Sequence, residues 1–141
     1  MSLKQSYNYF RARCKVVGLR EWSDGFNSDN IPSSIIDKSY HIKQGQITGI
    51  KLNQNDQEVN FPIVLEVFVK GFRDPYSAIE TSAELVEDIL IECLKATNRV
   101  TQGNGIKNIT FESAIFEPIS ANNDNAVKTT INFRVLSILG L

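Results

Sequence analysis

Few residues of this 141-residue chain have the type and spacing that catalysis or metal binding requires. His41 is the only histidine, so a Ser-His-Asp triad or a multi-histidine metal site lacks members. Cys14 and Cys93 stand far apart and form no metal-type or redox pair. The glycines at 103–105 precede a predicted strand and match neither phosphate-binding glycine pattern. We expect His41 to be a solvated or hydrogen-bonded strand residue and both cysteines to lie in the core.

The acidic residues also fall outside the known site patterns. Asp24, Asp29 and Asp37 lack the alternating spacing and the terminal glutamate of a calcium loop. Glu84 and Asp88 are one helical turn apart on a solvated face with no apolar pocket beside them, so they are poor catalytic candidates. The sequence therefore predicts a protein that is not an enzyme and that uses neither a cofactor nor a metal ion.

Composition indicates one globular domain over residues 1–141. The hydrophobic fraction is 42% and the charged fraction 22%, as in ordinary globular proteins. Fifteen Lys and Arg against sixteen Asp and Glu give a net charge of -1, so we expect no sequence-specific nucleic-acid readout. No apolar run approaches the roughly 20 residues that span a bilayer, and the first ten residues lack a secretion signal. We therefore expect an intracellular protein that binds no membrane.

The first elements that must position any functional residue are a helix and a long loop. Apolar residues recur at helical spacing across 3–17, and Gly18 ends the pattern. Residues 18–38 have no sustained period and are predicted mainly as loop. Loops of that length are often functional, so Trp22 and Phe26 are candidate partner contacts. The alternative is that both side chains pack the loop onto the core.

Two strands are predicted next. Alternation of apolar and polar residues within 39–52 and again within 61–69 predicts an antiparallel pair. The polar segment 53–60 between them predicts the tip of this hairpin. Asn55 and Asp56 lie in that tip and are candidate contact residues.

A second helix is predicted to begin at Asp74-Pro75, because an acceptor side chain caps free N–H groups and proline suits the first helical position. Its apolar face continues to about Thr97. The opposite face is acidic and includes the candidate contact residues Glu84, Glu87 and Asp88. Such a face is usually only solvated, although a basic partner can dock on it.

A second hairpin completes the chain. Ile109, Phe111 and Ile115 are predicted to share one face of a strand that Pro118 and the segment 120–125 interrupt. Period two in the last strand predicts a core face made of Val127, Thr129, Ile131, Phe133 and Val135. The same period gives an opposite, basic and polar face made of Lys128, Thr130, Asn132 and Arg134.

The predicted order is helix, two strands, helix, two strands. This order predicts an α+β domain whose antiparallel sheet is covered on one face by two helices.

Three segments carry a resemblance to a known family: NIPSSIIDKSYHI at 30–42, VFVKGFRDP at 67–75 and NFRVLSIL at 132–139. Together with the element order, they resemble the tail terminator or tail-completion proteins of long-tailed bacteriophages, the minor tail protein U type. The resemblance implies a subunit of a hexameric ring that caps the tail tube, ends tail elongation and presents a surface to the head. Its implied partners are further copies of itself, the phage tail tube protein and the head-tail connector protein. The implied location is the virion tail, assembled in the cytoplasm of the bacterial host.

The residues themselves are compatible with ring assembly, because head-to-tail contacts need two different complementary patches on each subunit. The basic face of the last strand and the acidic face of the second helix are candidates for such patches. The polar loops at 53–60 and 120–125 are candidates to line a ring opening or meet a tube end. Two alternatives stay open: another ring component of the connector or tail tube, and a small-ligand-binding regulatory α+β domain of a bacterial cytoplasm.

Overall fold

Two helices and six strands make up the described part of the chain. The structure is a computed structural model that describes residues 3–21, 37–44, 48–51, 56–71, 75–95, 106–121 and 124–140. In chain order the elements are α1 (Leu3–Val17), β1 (Arg20–Glu21), β2 (Ser39–Gln44), β3 (Thr48–Lys51), β4 (Asp56–Lys70), α2 (Pro75–Leu94), β5 (Ile106–Ala121) and β6 (Asp124–Gly140). The predicted α+β class is confirmed, whereas the predicted element order omitted β1 and divided the strands differently.

One mixed sheet contains all six strands. Its main order is β1-β2-β4-β6-β5, and β3 pairs with β4. β1 runs parallel to β2 and the other pairings are antiparallel. The prediction of a wholly antiparallel sheet was therefore wrong, because Arg20 and Glu21, within the predicted loop 18–38, add a parallel strand. β1 and β5 form the two opposite ends of the main strand order.

In the core, residues of both helices pack with the buried side chains that occupy every second position of β4 and β6. The rings of Phe10 in α1 and Phe133 in β6 have centroids 5.2 Å apart. The predicted register of the last strand is confirmed, because its five core-facing residues are at most 1% exposed: Val127, Thr129, Ile131, Phe133 and Val135. Lys128, Thr130, Asn132 and Arg134 alternate with them and lie on the opposite face of the sheet, which we call the outer face.

The ends of the helices follow local rules. α1 ends where Gly18 adopts φ 97°, a backbone conformation that suits glycine. The Gly18 N–H donates to the Lys15 carbonyl at 3.1 Å and the Leu19 N–H donates to the Cys14 carbonyl at 3.0 Å, the two bonds of a Schellman motif. α2 starts at Pro75 as predicted but ends at Leu94, before the predicted end near Thr97.

The first hairpin is tighter than its sequence suggested. β4 begins at Asp56, and Lys51 pairs with Gln57. The prediction of a tip over 53–60 was wrong, because residues 56–60 belong to β4. The pairing register with β4 shifts by one residue between the Gln44–Ile63 and Thr48–Asn60 pairs. Pro62 lies within this interval, where a central strand can accept a residue without an N–H.

The second hairpin is also longer and tighter than predicted. Pro118 pairs with Val127 inside β5, and only residues 122 and 123 separate the two strands. The predicted interruption at Pro118 was wrong because β5 ends the strand order, and an edge strand tolerates proline.

A β-bulge changes which residues of β5 face the core. Phe111 pairs with Phe133, but Ser113, two residues on, pairs with the adjacent Asn132. As a result Ala114 pairs with Ile131 on the core face, and Ile115 is 59% exposed on the outer face. The prediction that Ile115 shares a face with Phe111 was therefore wrong.

Candidate assembly surfaces and a buried ionic cluster

The most buried charge in the described structure is the Glu66 carboxylate on the outer face of β4, where Glu66 is 3% exposed. His41 of β2 is its direct cross-strand neighbour, and the imidazole Nε2 contacts Glu66 Oε1. Lys43 Nζ lies 3.0 Å from Glu66 Oε1, and Lys128 Nζ lies 3.1 Å from Glu66 Oε2. The four residues form an ionic cluster across β2, β4 and β6.

The contacts of the Glu66 carboxyl lower its pKa by more than its burial raises it. Burial alone raises the pKa of the Glu66 carboxyl, but the contacts with His41, Lys43 and Lys128 lower that pKa to about 2. Glu66 is therefore ionised at neutral pH, and its single negative charge faces two lysines. The His41 ring also stacks on Phe68, with centroids 5.8 Å apart. His41 is thus a buried partner of a carboxylate, and the solvated alternative for it was wrong.

The predicted contact residues of β6 point to the outer face but do not form a free basic patch. Lys128 is engaged by Glu66, and its side chain is only 24% exposed. Arg134 Nε lies 2.5 Å from Glu112 Oε1 on β5. Asn132 Nδ2 donates to Ser113 Oγ at 3.0 Å, and Thr130 is half-buried. Both basic groups are already paired within the subunit, so this face offers less unpaired positive charge than the sequence suggested, and its role in docking stays a prediction.

The predicted acidic residues of α2 do lie in solvent. Glu80, Glu84, Glu87 and Asp88 are exposed, and α2 contains no lysine or arginine. Two large side chains stand out beside them, Tyr76 at 75% and Ile91 at 56% exposure. At about 100° per residue, five of these side chains form one line along the helix. We call this line the α2 stripe: Tyr76, Glu80, Glu84, Glu87 and Ile91.

A groove with the opposite charge lies between α1 and β1. Its volume is about 560 Å³, and its lining includes Arg11, Lys15, Arg20, Glu21 and Tyr40. Arg11 Nη2 lies 2.8 Å from Glu21 Oε2, and the side chains of this pair are 51% and 40% exposed. Burial raises the pKa of the Tyr40 phenol, so its hydroxyl is neutral. Three cations and one carboxylate give this α1–β1 groove a net positive charge.

The third surface is the outer edge of β5, which is unpaired among the described strands. This strand is 16 residues long and has β6 as its partner in the described sheet. Three of its large apolar side chains are exposed: Phe111 (36%), Ile115 (59%) and Phe116 (37%). Sequence periodicity placed Phe111 and Ile115 on one face of the strand, because a bulge leaves no local signal in the sequence.

Three predicted contact residues, Trp22, Phe26 and Asn55, lie outside the described residues. Asp56 begins β4. Within the described ranges, no group of three His, Cys, Asp or Glu side chains is placed to hold a metal ion. Neither α1 nor α2 is long and apolar enough to cross a membrane. No protein-family model and no curated protein sequence matches this chain.

Proposed function

We propose that this protein is a structural subunit that caps the end of a phage or prophage tail tube as an oligomeric, hexameric ring. In this role it ends tail elongation and presents the surface that joins the head. The resemblance of three segments to tail terminator proteins motivates the proposal. The structural observation that supports it is the outer edge of β5, which no other described strand pairs with and where Phe111, Ile115 and Phe116 are exposed.

An open edge strand is a natural contact surface. Its outward N–H and C=O groups can pair with another strand, and exposed apolar side chains gain free energy when a partner covers them. Monomeric proteins usually protect such edges with charges, bulges or short strands. β5 has some of these features, namely a bulge between Phe111 and Ser113 and the residues Glu112, Glu117 and Pro118. Ile115 and Phe116 nevertheless stay exposed between them.

The position of β5 also suits a ring. β5 and β1 lie at opposite ends of the strand order, so the two edges present different surfaces. Contacts between unlike surfaces repeat around a ring when the rotation closes. In the proposed subunit both helices cover one face of the sheet and leave the β5 edge open to a neighbour. The tail tube protein and the head-tail connector protein would then bind the two rims of the ring.

The test compares two lysine substitutions in a phage that lacks its own tail terminator. Ile115→Lys replaces the most exposed of the three apolar side chains of β5 with a charge, whereas Gln5→Lys adds the same charge at an exposed position of α1. We expect both proteins to melt like wild type, because surface changes usually stay within about 0.5 kcal/mol. Ile115→Lys should lower infectious titre and produce tails of irregular length, while Gln5→Lys should restore normal tails. A wild-type protein that neither restores tail length nor binds tail tubes in electron micrographs would refute the proposal.

A further inference from the structure

We infer that the α1–β1 groove of one subunit receives the acidic α2 stripe of a second copy of this chain. The inference rests on the proposed function and names the two surfaces that meet between neighbouring subunits. The groove replaces the outer face of β6 as the cationic partner of α2. On that face Lys128 is already paired with Glu66, and Arg134 is paired with Glu112.

The groove has unsatisfied positive charge. Lys15 is exposed and has no ion-pair partner among the described residues. Arg11 shares its charge with Glu21 but stays half exposed. Arg20 donates to the neutral Asp37 carbonyl at 2.8 Å and has no ion-pair partner among the described residues. At about 560 Å³ the groove lies within the 300–1,000 Å³ range of pockets that enclose drug-sized ligands. It can therefore hold several carboxylate side chains at once.

The α2 stripe has the complementary chemistry. Glu80, Glu84 and Glu87 occupy successive turns, and like charges at such spacing destabilise a helix by about 0.2–0.5 kcal/mol per pair. Cations from a neighbour would relieve that repulsion. Tyr76 and Ile91 flank the carboxylates as exposed large side chains, the type that anchors protein interfaces.

The two surfaces lie on different elements of the subunit. α2 packs on β4, β5, β6 and α1, and α1 also contacts β1. Arg13 turns toward α2, where Arg13 Nη1 lies 3.4 Å from Glu92 Oε2. Arg11 and Lys15 lie on the opposite side of α1, in the groove. α1 therefore stands between Glu92 of α2 and the groove, and none of the groove's lining residues comes from α2, so we assign the acidic partner to a neighbouring subunit.

The test is a charge exchange. One double variant carries Lys15→Glu and Arg20→Glu in the groove, and the other carries Glu84→Lys and Glu87→Lys in the stripe. Each should raise the protein concentration needed for ring formation, or for occupancy of tail tube ends, at least about tenfold, because like charges face each other. The protein that carries all four changes should recover assembly, since the charges are again complementary. Lys4→Glu with Lys95→Glu changes two exposed lysines outside the groove and should assemble like wild type.

The outcomes separate this inference from the proposed function. If wild type assembles and both double variants assemble equally well, the inference is overturned while the proposed function stands. The inference is also overturned if all proteins melt normally and the fourfold variant does not recover assembly. If wild type forms no oligomer alone or on tail tubes, both are overturned. A third outcome would assign the groove to a small anion instead. In that case citrate raises the melting temperature of wild type but not of the groove variant, and the variants have no effect on assembly.

Discussion

His41 and Glu66 face each other across β2 and β4, with their side chains in contact and at most 5% exposed. An ionised carboxylate at such a site is stable only when opposite charges or hydrogen-bond donors surround it. Here Lys43 and Lys128 complete the surroundings from β2 and β6. The cluster therefore ties three strands together through their side chains.

Removal of the carboxylate should be costly. Glu66→Ala leaves His41 and two lysines without their shared partner, and loss of one member of a buried pair costs about 3–5 kcal/mol. Because Lys43 is 49% exposed and can turn to water, we expect about 3 kcal/mol less free energy of unfolding. Urea denaturation measures this value. Glu112→Ala is the control, because it breaks the exposed pair with Arg134 and should cost at most about 1 kcal/mol. Equal losses in the two variants would contradict the prediction.

The Glu66 carboxyl should also make the protein less stable in acid. The folded-state pKa of Glu66 is about 2, below its ordinary value of 4.5. The unfolded chain therefore binds the proton more readily, and the stabilisation is complete above about pH 4.5 and is lost as the pH falls toward 2. Thermal melting of wild type and Glu66→Gln at pH 5 and pH 3 tests this. Wild type should lose more between the two pH values, and parallel losses would remove Glu66 from the acid response.

Two basic residues that look equivalent in the sequence should behave differently. Lys128→Glu brings a second carboxylate next to the buried Glu66, so we expect more than about 1 kcal/mol of destabilisation. Arg134→Glu affects a side chain that is 43% exposed, and we expect at most about 1 kcal/mol. Chemical denaturation of the two single variants compares them directly. A small effect of both would show that Lys128 is free in solution.

Replacement of the buried Thr129 hydroxyl should raise the free energy of unfolding, whereas the substitutions above lower it. Thr129 is fully buried on the core face of β6, and its Oγ1 has no hydrogen-bond partner among the described residues. Thr129→Val keeps the shape and removes the unsatisfied group, so we expect a gain of about 1 kcal/mol in the free energy of unfolding. Thr130→Val, half-buried on the outer face, should change it by less than about 0.5 kcal/mol. A loss of stability in Thr129→Val would show that the hydroxyl has a partner.

Neither cysteine should react while the protein is folded. Burial raises the pKa of the Cys14 thiol to about 12, and burial also raises the pKa of Cys93 well above its ordinary value. At pH 8 the thiolate fraction of Cys14 is then on the order of one in ten thousand, and the thiolate is the reactive form. Iodoacetamide followed by mass spectrometry should modify both residues only after urea is added. Rapid labelling of native protein would contradict their placement in the core.

The parts of the fold that the sequence predicted are those where one period continues without interruption. In β6 from Val127 to Val135, every second residue is buried in the core, and strict period two in the sequence predicts which residues these are. The bulge between Phe111 and Ser113 changes the facing of every residue after it, yet a single inserted position leaves no compositional mark. Arg20 and Glu21 form too short a strand to show any period.

The candidate surfaces were predicted less well, for a related reason. The exposure of Glu84, Glu87 and Asp88 follows from helical periodicity alone and was predicted correctly. Whether Lys128 and Arg134 are free depends on Glu66 and Glu112, which reach them from other strands. Partners so distant in the chain are set by strand order and register, which local patterns do not specify.

The long central strands have a mechanical consequence. β6 pairs with β4 over all 15 residues of that strand and with β5 along its other side. Antiparallel hydrogen bonds lie perpendicular to the strands. A pull along the strand direction therefore loads these bonds in shear, so that many must break together, whereas a pull across the sheet opens them one after another. The subunit should resist tension best along the axis of β6.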